Sequence, residues 1–182
     1  MKRKPLKITL MIILLLILAF GAVVFHAWYT RGRGSNINLD NAVQAEDFAP
    51  DFNVQLLTGE TFTLSDHRGT VVVLDFWATW CGPCVQKMPT VQALHEQFEG
   101  SVIFVGMNVG EQQSRVQEFI DDRGFTFPIG LDAGTIHREL YPSPGIPYMV
   151  IINGDGVISD TFLGGGANMH ARIEAAILAA LG

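Results

Sequence analysis

The spacing of apolar residues predicts an α/β domain over most of the chain. Residues 52–56 and 62–64 alternate between apolar and polar side chains on either side of Thr58-Gly59, which predicts a β-hairpin. Residues 71–77 form a nearly continuous apolar run, which is typical of a central parallel strand. Apolar residues then recur every three or four positions from Val85 to Phe98, which predicts a helix.

The second half of the chain continues to alternate between strands and helices. Strands are predicted over residues 101–108, 125–131, 149–152 and 157–163, and helices over residues 112–123, 135–140 and 168–181. The last two strands flank Asn153-Gly-Asp-Gly156, a strong hairpin signal. This order predicts one mixed sheet with helices on both faces.

The most hydrophobic stretch, residues 8–29, predicts a transmembrane helix. Its 22 residues, at about 1.5 Å each, are long enough to cross a bilayer core of roughly 30 Å. Four basic residues precede it and no acidic residue occurs before Asp40, which predicts a cytoplasmic N-terminus and an extracytoplasmic remainder. A cleaved signal peptide remains an alternative, because Ala19 and Gly21 resemble a cleavage site. The apolar stretch continues beyond Gly21, which favours an uncleaved anchor.

These patterns divide the chain into four parts. Residues 31–46 are polar, contain Gly, Ser and Asn, and show no periodicity, which is typical of a flexible tether. We therefore predict a cytoplasmic basic segment over residues 1–7, a transmembrane signal anchor over 8–29, a flexible linker over 30–47 and a folded domain over 48–182.

Net charge restricts the partners of that domain. The chain has 182 residues with 12 Lys+Arg and 18 Asp+Glu, and residues 1–33 hold six of the basic residues and no acid. The remainder has 6 basic against 18 acidic residues, a formal charge of −12. Such a domain should repel nucleic acid and an anionic membrane surface. Membrane association is therefore assigned to the N-terminal helix.

Cys81 and Cys84 are the only cysteines and lie three positions apart. A disulfide between them closes almost no loop, so it would stabilise the fold little as a staple. A metal site would need further Cys or His ligands close by, and haem attachment would need His where Val85 stands. We interpret the pair as a reversible redox couple with no metal and no cofactor.

The position of the pair predicts a role for each cysteine. Cys81 lies where the strand turns into the helix, and free backbone N–H groups and the helix dipole stabilise a thiolate there. Cys81 is therefore the predicted attacking sulfur, and Cys84, one turn later, is the predicted resolving thiol. Gly82 lets the turn approach its target closely, and Pro83 stiffens the first turn.

The motif around the cysteines resembles the active site of thioredoxin, and it reads Trp80-Cys81-Gly82-Pro83-Cys84 after Asp75-Phe76-Trp77. The lead-in of the redoxin group is matched by Ala49-Pro50-Asp51-Phe52, Leu57-Thr58-Gly59-Glu60, Leu64-Ser65 and Arg68-Gly69. Residues 48–182 thus resemble the membrane-tethered thioredoxin-like oxidoreductases of the TlpA and ResA type. The resemblance implies a thioredoxin fold with an N-terminal β-hairpin and a redoxin-type insertion between residues 102 and 131. It also implies action on protein disulfides outside the cytoplasmic membrane, often in cytochrome c maturation.

The resemblance also implies supporting roles around the cysteines. Pro147 is predicted to be a cis-proline beside the CxxC turn, with Pro144 as the less favoured candidate, and Ile146 to offer its backbone to an extended substrate segment. Asp75 is predicted to take the proton of Cys84 through water. Trp80 is predicted to form an apolar platform for substrate.

Several residues have no motif around them or depart from the TlpA and ResA pattern. Lys87 stands where an acid normally aligns, Asp75 replaces an asparagine, and Tyr148 follows the predicted cis-proline where threonine is common. Asp75 draws the predicted chemistry toward thioredoxin itself, and Tyr148 predicts a substrate groove of different shape. Four histidines without a motif are expected to be exposed: His67, His95, His137 and His170.

The sequence therefore predicts a single-pass thiol-disulfide oxidoreductase with its catalytic domain outside the cell membrane. Its expected partners are protein disulfide or dithiol substrates, including apocytochrome c, and a membrane thiol electron donor. A disulfide-donating oxidant shares the motif, because direction depends on reduction potential. A redoxin-type thiol peroxidase and a non-catalytic binding module are further alternatives. The reduction potential, the specific substrate and the oligomeric state are left open.

Overall fold

The computed structural model describes residues 44–182, and an antiparallel hairpin opens the domain. Strand β1 (Asn53–Gln55) pairs with β2 (Thr61–Thr63), with Val54 opposite Phe62. Both of these side chains are buried while their neighbours face outward, so the alternation in the sequence sets the register. The predicted hairpin is confirmed.

A mixed five-stranded sheet forms the centre of the domain. Its strands lie in the order β5-β4-β3-β6-β7, with β3, β4 and β5 parallel and β6 and β7 antiparallel to their neighbours. The strands are β3 (Val71–Trp77), β4 (Val102–Val109), β5 (Ile129–Asp132), β6 (Tyr148–Ile152) and β7 (Ile158–Leu163). All seven residues of β3 are buried, as expected for a central strand covered on both faces.

The three α-helices pack on one face of this sheet. They are α1 (Gly82–Gln97), α2 (Gln113–Arg123) and α3 (Met169–Leu181). Buried residues of each helix belong to the same core cluster as Val73 and Trp77 of β3. Gly124 ends α2 in the left-handed conformation (φ 67°), as the sequence predicts for this helix stop.

The opposite face has a different cover from the one that the sequence predicts. It packs against the hairpin, a 3-10 turn (Leu64–His67) and a single π-helical turn (Ile136–Leu140), and Tyr141 completes this second core cluster. The sequence predicts helices on both faces, but within residues 44–182 this face carries only short helical turns and no α-helix. Asp132 accepts hydrogen bonds from the backbone of Gly134, Ile136 and His137, which holds the turn together.

One strand begins later than predicted. Residues 125–131 alternate like a strand, yet β5 starts only at Ile129. Pro128 has no N–H to donate to a neighbouring strand, and Thr126 donates its N–H to the Gln92 side chain of α1 instead. The preceding phenylalanines, including Phe127, therefore fill the core without joining the sheet.

The folded domain begins slightly before the predicted residue. Backbone hydrogen bonds to Ile158 begin at Glu46 and continue at Asp47, before the predicted domain start at residue 48. Among residues 44–182, no helix has the length and apolar character needed to cross a membrane. The predicted segments 1–7 and 8–29, and the linker up to residue 43, lie outside the described residues.

Candidate active site

The two cysteines occupy the junction between β3 and α1. Cys81 is the N-cap of α1 and is disulfide-bonded to Cys84, with their Cα atoms 5.2 Å apart. The Cys84 N–H donates to the Cys81 sulfur at 3.2 Å, so the cap position already supplies a donor to this sulfur. Cys81 is 6% exposed and Cys84 is completely buried. Cys81 is thus the sulfur that a substrate can approach.

The residues flanking the cysteines leave one side of the turn open. Trp80 is 67% exposed beside Cys81, whereas Trp77, at the end of β3, is buried in the core. Pro83 lies in the first turn of α1, where a missing N–H leaves no hydrogen bond unmade. A side chain on Gly82 would meet nothing within 4 Å, so the turn here is unobstructed on its outer side.

The loop before β6 lies next to the end of β3. The Ile146-Pro147 peptide bond is cis, which confirms the prediction for Pro147 over Pro144. Tyr148, the next residue, pairs with Phe76 of β3, so the cis-proline lies beside the strand end that leads into Cys81. The Pro147 carbonyl accepts the Gly164 N–H at 2.7 Å, which ties this loop to the end of β7. Ile146 is half-buried against the core.

A groove of about 420 Å³ adjoins the cysteine turn. It lies between the first turns of α1 and the loop that follows β7, and its lining includes Pro83, Lys87, Gly165, Gly166 and Met169. The two glycines leave its far wall without side chains. An extended chain that reaches Cys81 would have this groove at its side.

Asp75 lies beneath α1 on β3. It shares a strand face with Val73 and Trp77, which is the face covered by the helices, and it is only 2% exposed. Burial raises the pKa of the Asp75 carboxyl, and the Lys87 ammonium opposes this effect without cancelling it. Lys87 Nζ, itself on a residue only 6% exposed, donates to Asp75 Oδ1 at 2.5 Å. Sequence reasoning found Asp75 but treated Lys87 only as a departure from a family pattern.

Glu111 is a site residue that the sequence analysis missed. Its carboxylate accepts hydrogen bonds from the Thr79 N–H (2.7 Å), the Thr79 hydroxyl (2.6 Å) and Asn108 Nδ2 (2.8 Å). Burial raises its pKa, but these hydrogen bonds and Arg115 outweigh burial, and the pKa of Glu111 is lowered. Glu111 thereby fixes the segment just before Trp80. Glu111 follows the carboxyl end of the parallel strand β4, and this position is the sequence signal that could have identified it.

A second missed group supports the cis-proline loop. His137 Nε2 lies 2.9 Å from the Ser143 hydroxyl, which donates to the Gly145 carbonyl at 2.7 Å. His137 is half-buried against Phe76, and burial lowers the pKa of its ring. The expectation that the four histidines are exposed is therefore wrong for His137. It is also wrong for His67, which stacks on Phe62, and for the partly buried His95, whereas His170 is exposed.

The described part of the chain holds one redox-active cysteine pair, joined here as a disulfide. No cluster of three His, Cys, Asp or Glu side chains able to hold a metal ion occurs among residues 44–182. The reachable Cys81, the buried Cys84 and the buried acid Asp75 are together suited to thiol-disulfide exchange.

Comparison with known proteins agrees with this chemistry. Residues 45–161 match the AhpC/TSA family. A thioredoxin-like protein, YneN of Bacillus subtilis, is 35% identical over 67% of this chain and 73% of its own length. The thiol-disulfide oxidoreductase ResA of Geobacillus thermodenitrificans is 31% identical over 90% of both chains. A putative thiol:disulfide interchange protein DsbE of Chlorobium tepidum superposes with a TM-score of 0.72 at 31% identity, covering 78% of this chain and 100% of that structure.

Proposed function

The chain belongs to the AhpC/TSA family as a thiol-disulfide oxidoreductase of the TlpA and ResA type, and we propose that it reduces protein disulfides outside the cytoplasm while tethered to the membrane. The observation that carries the proposal is the asymmetry of the cysteine pair, in which Cys81 keeps 6% of its surface exposed and Cys84 keeps none. Such an arrangement lets a bulky protein disulfide meet one sulfur while the other is held in reserve.

The reaction begins at the reduced dithiol. The Cys81 thiolate attacks one sulfur of the substrate disulfide, a Cys81–substrate bond forms, and the other substrate sulfur leaves as a thiolate that takes a proton. The Cys84 thiol then gives its proton to Asp75 and attacks Cys81. The Cys81–Cys84 disulfide forms, and the second substrate sulfur is released. Two electrons have then passed from the dithiol to the substrate.

Asp75 fits the role of proton acceptor because it is buried on the face of β3 that α1 covers. A carboxyl whose pKa is raised by burial can accept a thiol proton near neutral pH more readily than an ordinary aspartate. Trp80, Ile146 and the groove beside Pro83 would contact the polypeptide around the substrate disulfide. Ile146 would pair through its backbone, as in strand addition.

The first 33 residues support the proposed tether. The apolar stretch 8–29 has basic residues at both ends and more of them before it, which supports a single span with the N-terminus in the cytoplasm. The catalytic domain would then lie outside the membrane, where a membrane dithiol protein would return two electrons to the disulfide after each cycle. Apocytochrome c is the substrate that the TlpA and ResA resemblance suggests, so the proposed cycle serves cytochrome c maturation.

Trapping of substrate tests the proposal most directly. Cys84→Ser in the full chain should accumulate mixed disulfides between Cys81 and its substrates, visible as bands that disappear on reduction and identifiable by mass spectrometry. Cys81→Ser/Cys84→Ser is the matched control and should trap nothing. Recovery of no partner by the single variant in membranes from its own cell would contradict the proposal.

The reduction potential of the Cys81–Cys84 couple decides the direction of transfer. A value near about −270 mV, like that of thioredoxin, would support a reductant, whereas a value near about −120 mV would make the protein a disulfide donor. Peroxide turnover with a thiol donor would instead favour a thiol peroxidase. The membrane topology can be tested with protoplasts or spheroplasts, in which added protease should digest an extracytoplasmic catalytic domain.

A further inference from the structure

A buried ion pair joins the helix that carries the cysteines to the strand beneath it. Lys87 lies on α1 and Asp75 on β3, and the ammonium donates directly to the carboxylate. Taking two charges out of water is costly, so such a pair is weak as a source of stability and calls for another explanation. No other ion pair among residues 44–182 has both partners buried.

The helix places Lys87 and Cys84 on the same side. They are three positions apart, and residues at that spacing are neighbours on a helix surface. Both are buried, and Cys84 belongs to the core cluster that contains Val73 and Trp77, the neighbours of Asp75 on its strand face. One helix face therefore carries the thiol that must lose a proton and the cation that holds the acid predicted to receive it.

Other elements around Asp75 supply no charge to it. In the sheet, its register partners are Gly106 of β4 and Met149 of β6. A side chain at Gly106 would lie 2.8 Å from the Phe127 ring and 3.1 Å from Trp77 Nε1, so β4 has no room for a charged residue there. The buried side chains of α3 are apolar, and Glu111 is bonded to Thr79 and Arg115 instead. Lys87 is thus the charged group that contacts Asp75, and Cys84 lies three positions before it on α1.

We propose that Lys87 is a positioning residue for the second half of the cycle, holding Asp75 as the base that deprotonates Cys84. The inference rests on the proposed role of Asp75. Burial alone favours the neutral carboxylic acid, which has no capacity to accept a proton, and the adjacent ammonium favours the carboxylate. Lys87 also lines the groove beside Pro83, so it joins the buried acid to a surface open to solvent. It acts on the reaction through Asp75.

An aromatic disulfide reagent allows the rates of the two halves of the cycle to be measured separately. When the reduced full chain meets excess 5,5′-dithiobis(2-nitrobenzoate), attack by Cys81 releases one coloured thiolate and leaves a mixed disulfide. Attack by Cys84 then releases the second thiolate, so the two phases of colour report the two steps. Both are measured by stopped flow from pH 5 to pH 9.

Lys87→Met should slow the second phase about tenfold at pH 7 and move its pH midpoint upward by about one unit, because a base that is harder to ionise is available only at higher pH. The first phase should stay within about twofold of the unchanged protein. Lys87→Arg keeps the charge and should restore most of the second phase. Arg172→Met, which removes an exposed cation from α3, is the control and should alter neither phase.

Asp75→Asn distinguishes failure of this inference from failure of the proposed role of Asp75. If Asp75→Asn slows the second phase and Lys87→Met does not, the inference about Lys87 is wrong while the role of Asp75 stands. If Asp75→Asn has no effect, the role of Asp75 itself is wrong. Equal slowing of both phases by Lys87→Met, without rescue by arginine, would mark Lys87 as merely structural.

The double variant Asp75→Asn/Lys87→Met tests the coupling and avoids a lone buried charge. It should fold and show a second phase no slower than that of Asp75→Asn alone, because Lys87 acts through Asp75. Additive slowing in the double variant would overturn the inference.

Discussion

Cys81 and Trp80 are adjacent in sequence, yet the first is nearly covered and the second is largely exposed. An exposed indole beside a reactive sulfur can contact the polypeptide of a substrate without contributing to the core. Trp77, three residues earlier, is buried and packs against Phe119 of α2. The same residue type therefore serves two purposes within one short segment.

Replacing each tryptophan in turn should show that Trp80 contributes to substrate contact and Trp77 to stability. Trp80→Ala should lower kcat/KM for a protein disulfide by about three- to tenfold, a loss of roughly 1 kcal/mol in contact energy, with an unchanged midpoint of urea unfolding. Trp77→Ala should cost about 3–5 kcal/mol of unfolding free energy. A Trp80 variant that unfolds as readily as the Trp77 variant would contradict the assignment of Trp80 to the substrate surface.

Glu111 shows what residue-level sequence reasoning lacks. The turn around the cysteines was predictable because its residues are contiguous and their spacing has a direct chemical meaning. The partners of Glu111 and Lys87 are far away in sequence, since Thr79 is 32 positions from Glu111 and Asp75 is 12 positions from Lys87. Hydrophobic periodicity reports which face of an element is buried, and it carries no information on which polar side chains meet.

At the scale of elements, Glu111 joins the start of α2 to the segment between β3 and α1. Glu111→Gln should lower the unfolding free energy by about 1–3 kcal/mol, because it weakens charge-assisted hydrogen bonds to Thr79 and Asn108. Amide exchange at Thr79 should become faster, and the attack of Cys81 slower. Glu118→Gln, on the exposed side of α2, is the matched control and should leave all three unchanged.

Arg115 should matter far less than its ion pair with Glu111 suggests. Its side chain is 66% exposed, and exposed pairs contribute little in water. Arg115 Nε also donates to the Thr79 hydroxyl at 3.0 Å, so a loss on Arg115→Gln as large as that on Glu111→Gln would show that Arg115 holds the segment as firmly as Glu111 does.

The π-helical turn and the cis-proline loop form a second element-level unit through His137 and Ser143. Burial lowers the pKa of His137, so the unfolded chain binds a proton more readily than the folded one. The stability that this group contributes is fully present above its unfolded pKa, about 6.5, and is lost as pH falls through its lower folded value. Unfolding free energy measured from pH 7 to pH 5 should therefore decrease.

His137→Gln retains a donor toward Ser143 but has no titratable group, so the decrease between pH 7 and pH 5 should become smaller. Glu111 and Asp51, whose pKa values are lowered, titrate below this window. The raised pKa of Asp75 acts in the opposite direction but is common to both proteins, so the difference between them reports His137. An identical pH dependence in the glutamine variant would assign the effect to another group.

Most elements were predictable, and the exceptions have identifiable physical causes. Alternation predicted the first hairpin and the apolar run predicted β3, because each pattern reflects a single buried surface. The turn Asn153-Gly-Asp-Gly156 predicted the second hairpin. Pro128 delayed β5, whereas the helix predicted over residues 135–140 forms as a single π-helical turn, with the Asp132 side chain accepting hydrogen bonds at its start. In the strand, a single residue overrode a pattern that extends over several residues.

At the scale of the whole molecule, charge is the dominant feature outside the active site. The chain from residue 34 onward carries a formal charge of −12, and one of its six basic residues, Lys87, is buried. Long-range attraction should therefore speed encounters with basic proteins and slow encounters with acidic ones.

This attraction can be measured through ionic strength. As salt rises from about 0.01 M to about 0.15 M, the Debye length falls from roughly 30 Å to about 8 Å. The kcat/KM for a basic disulfide protein should fall over this range, and that for an acidic one should rise. A small neutral disulfide serves as the control and should show no trend. Equal salt dependence for both proteins would argue that surface charge has no part in substrate choice.

The complete burial of Cys84 has a consequence for the surroundings in which the protein works. In the disulfide-bonded form, the sulfur that completes the exchange lies inside the domain, and molecules outside meet the pair only at Cys81. Release of the product through Cys84 is therefore an intramolecular step, and its rate does not depend on the concentration of small thiols around the protein. The same protein should finish each encounter at the same pace in a compartment poor in thiols as in one rich in them.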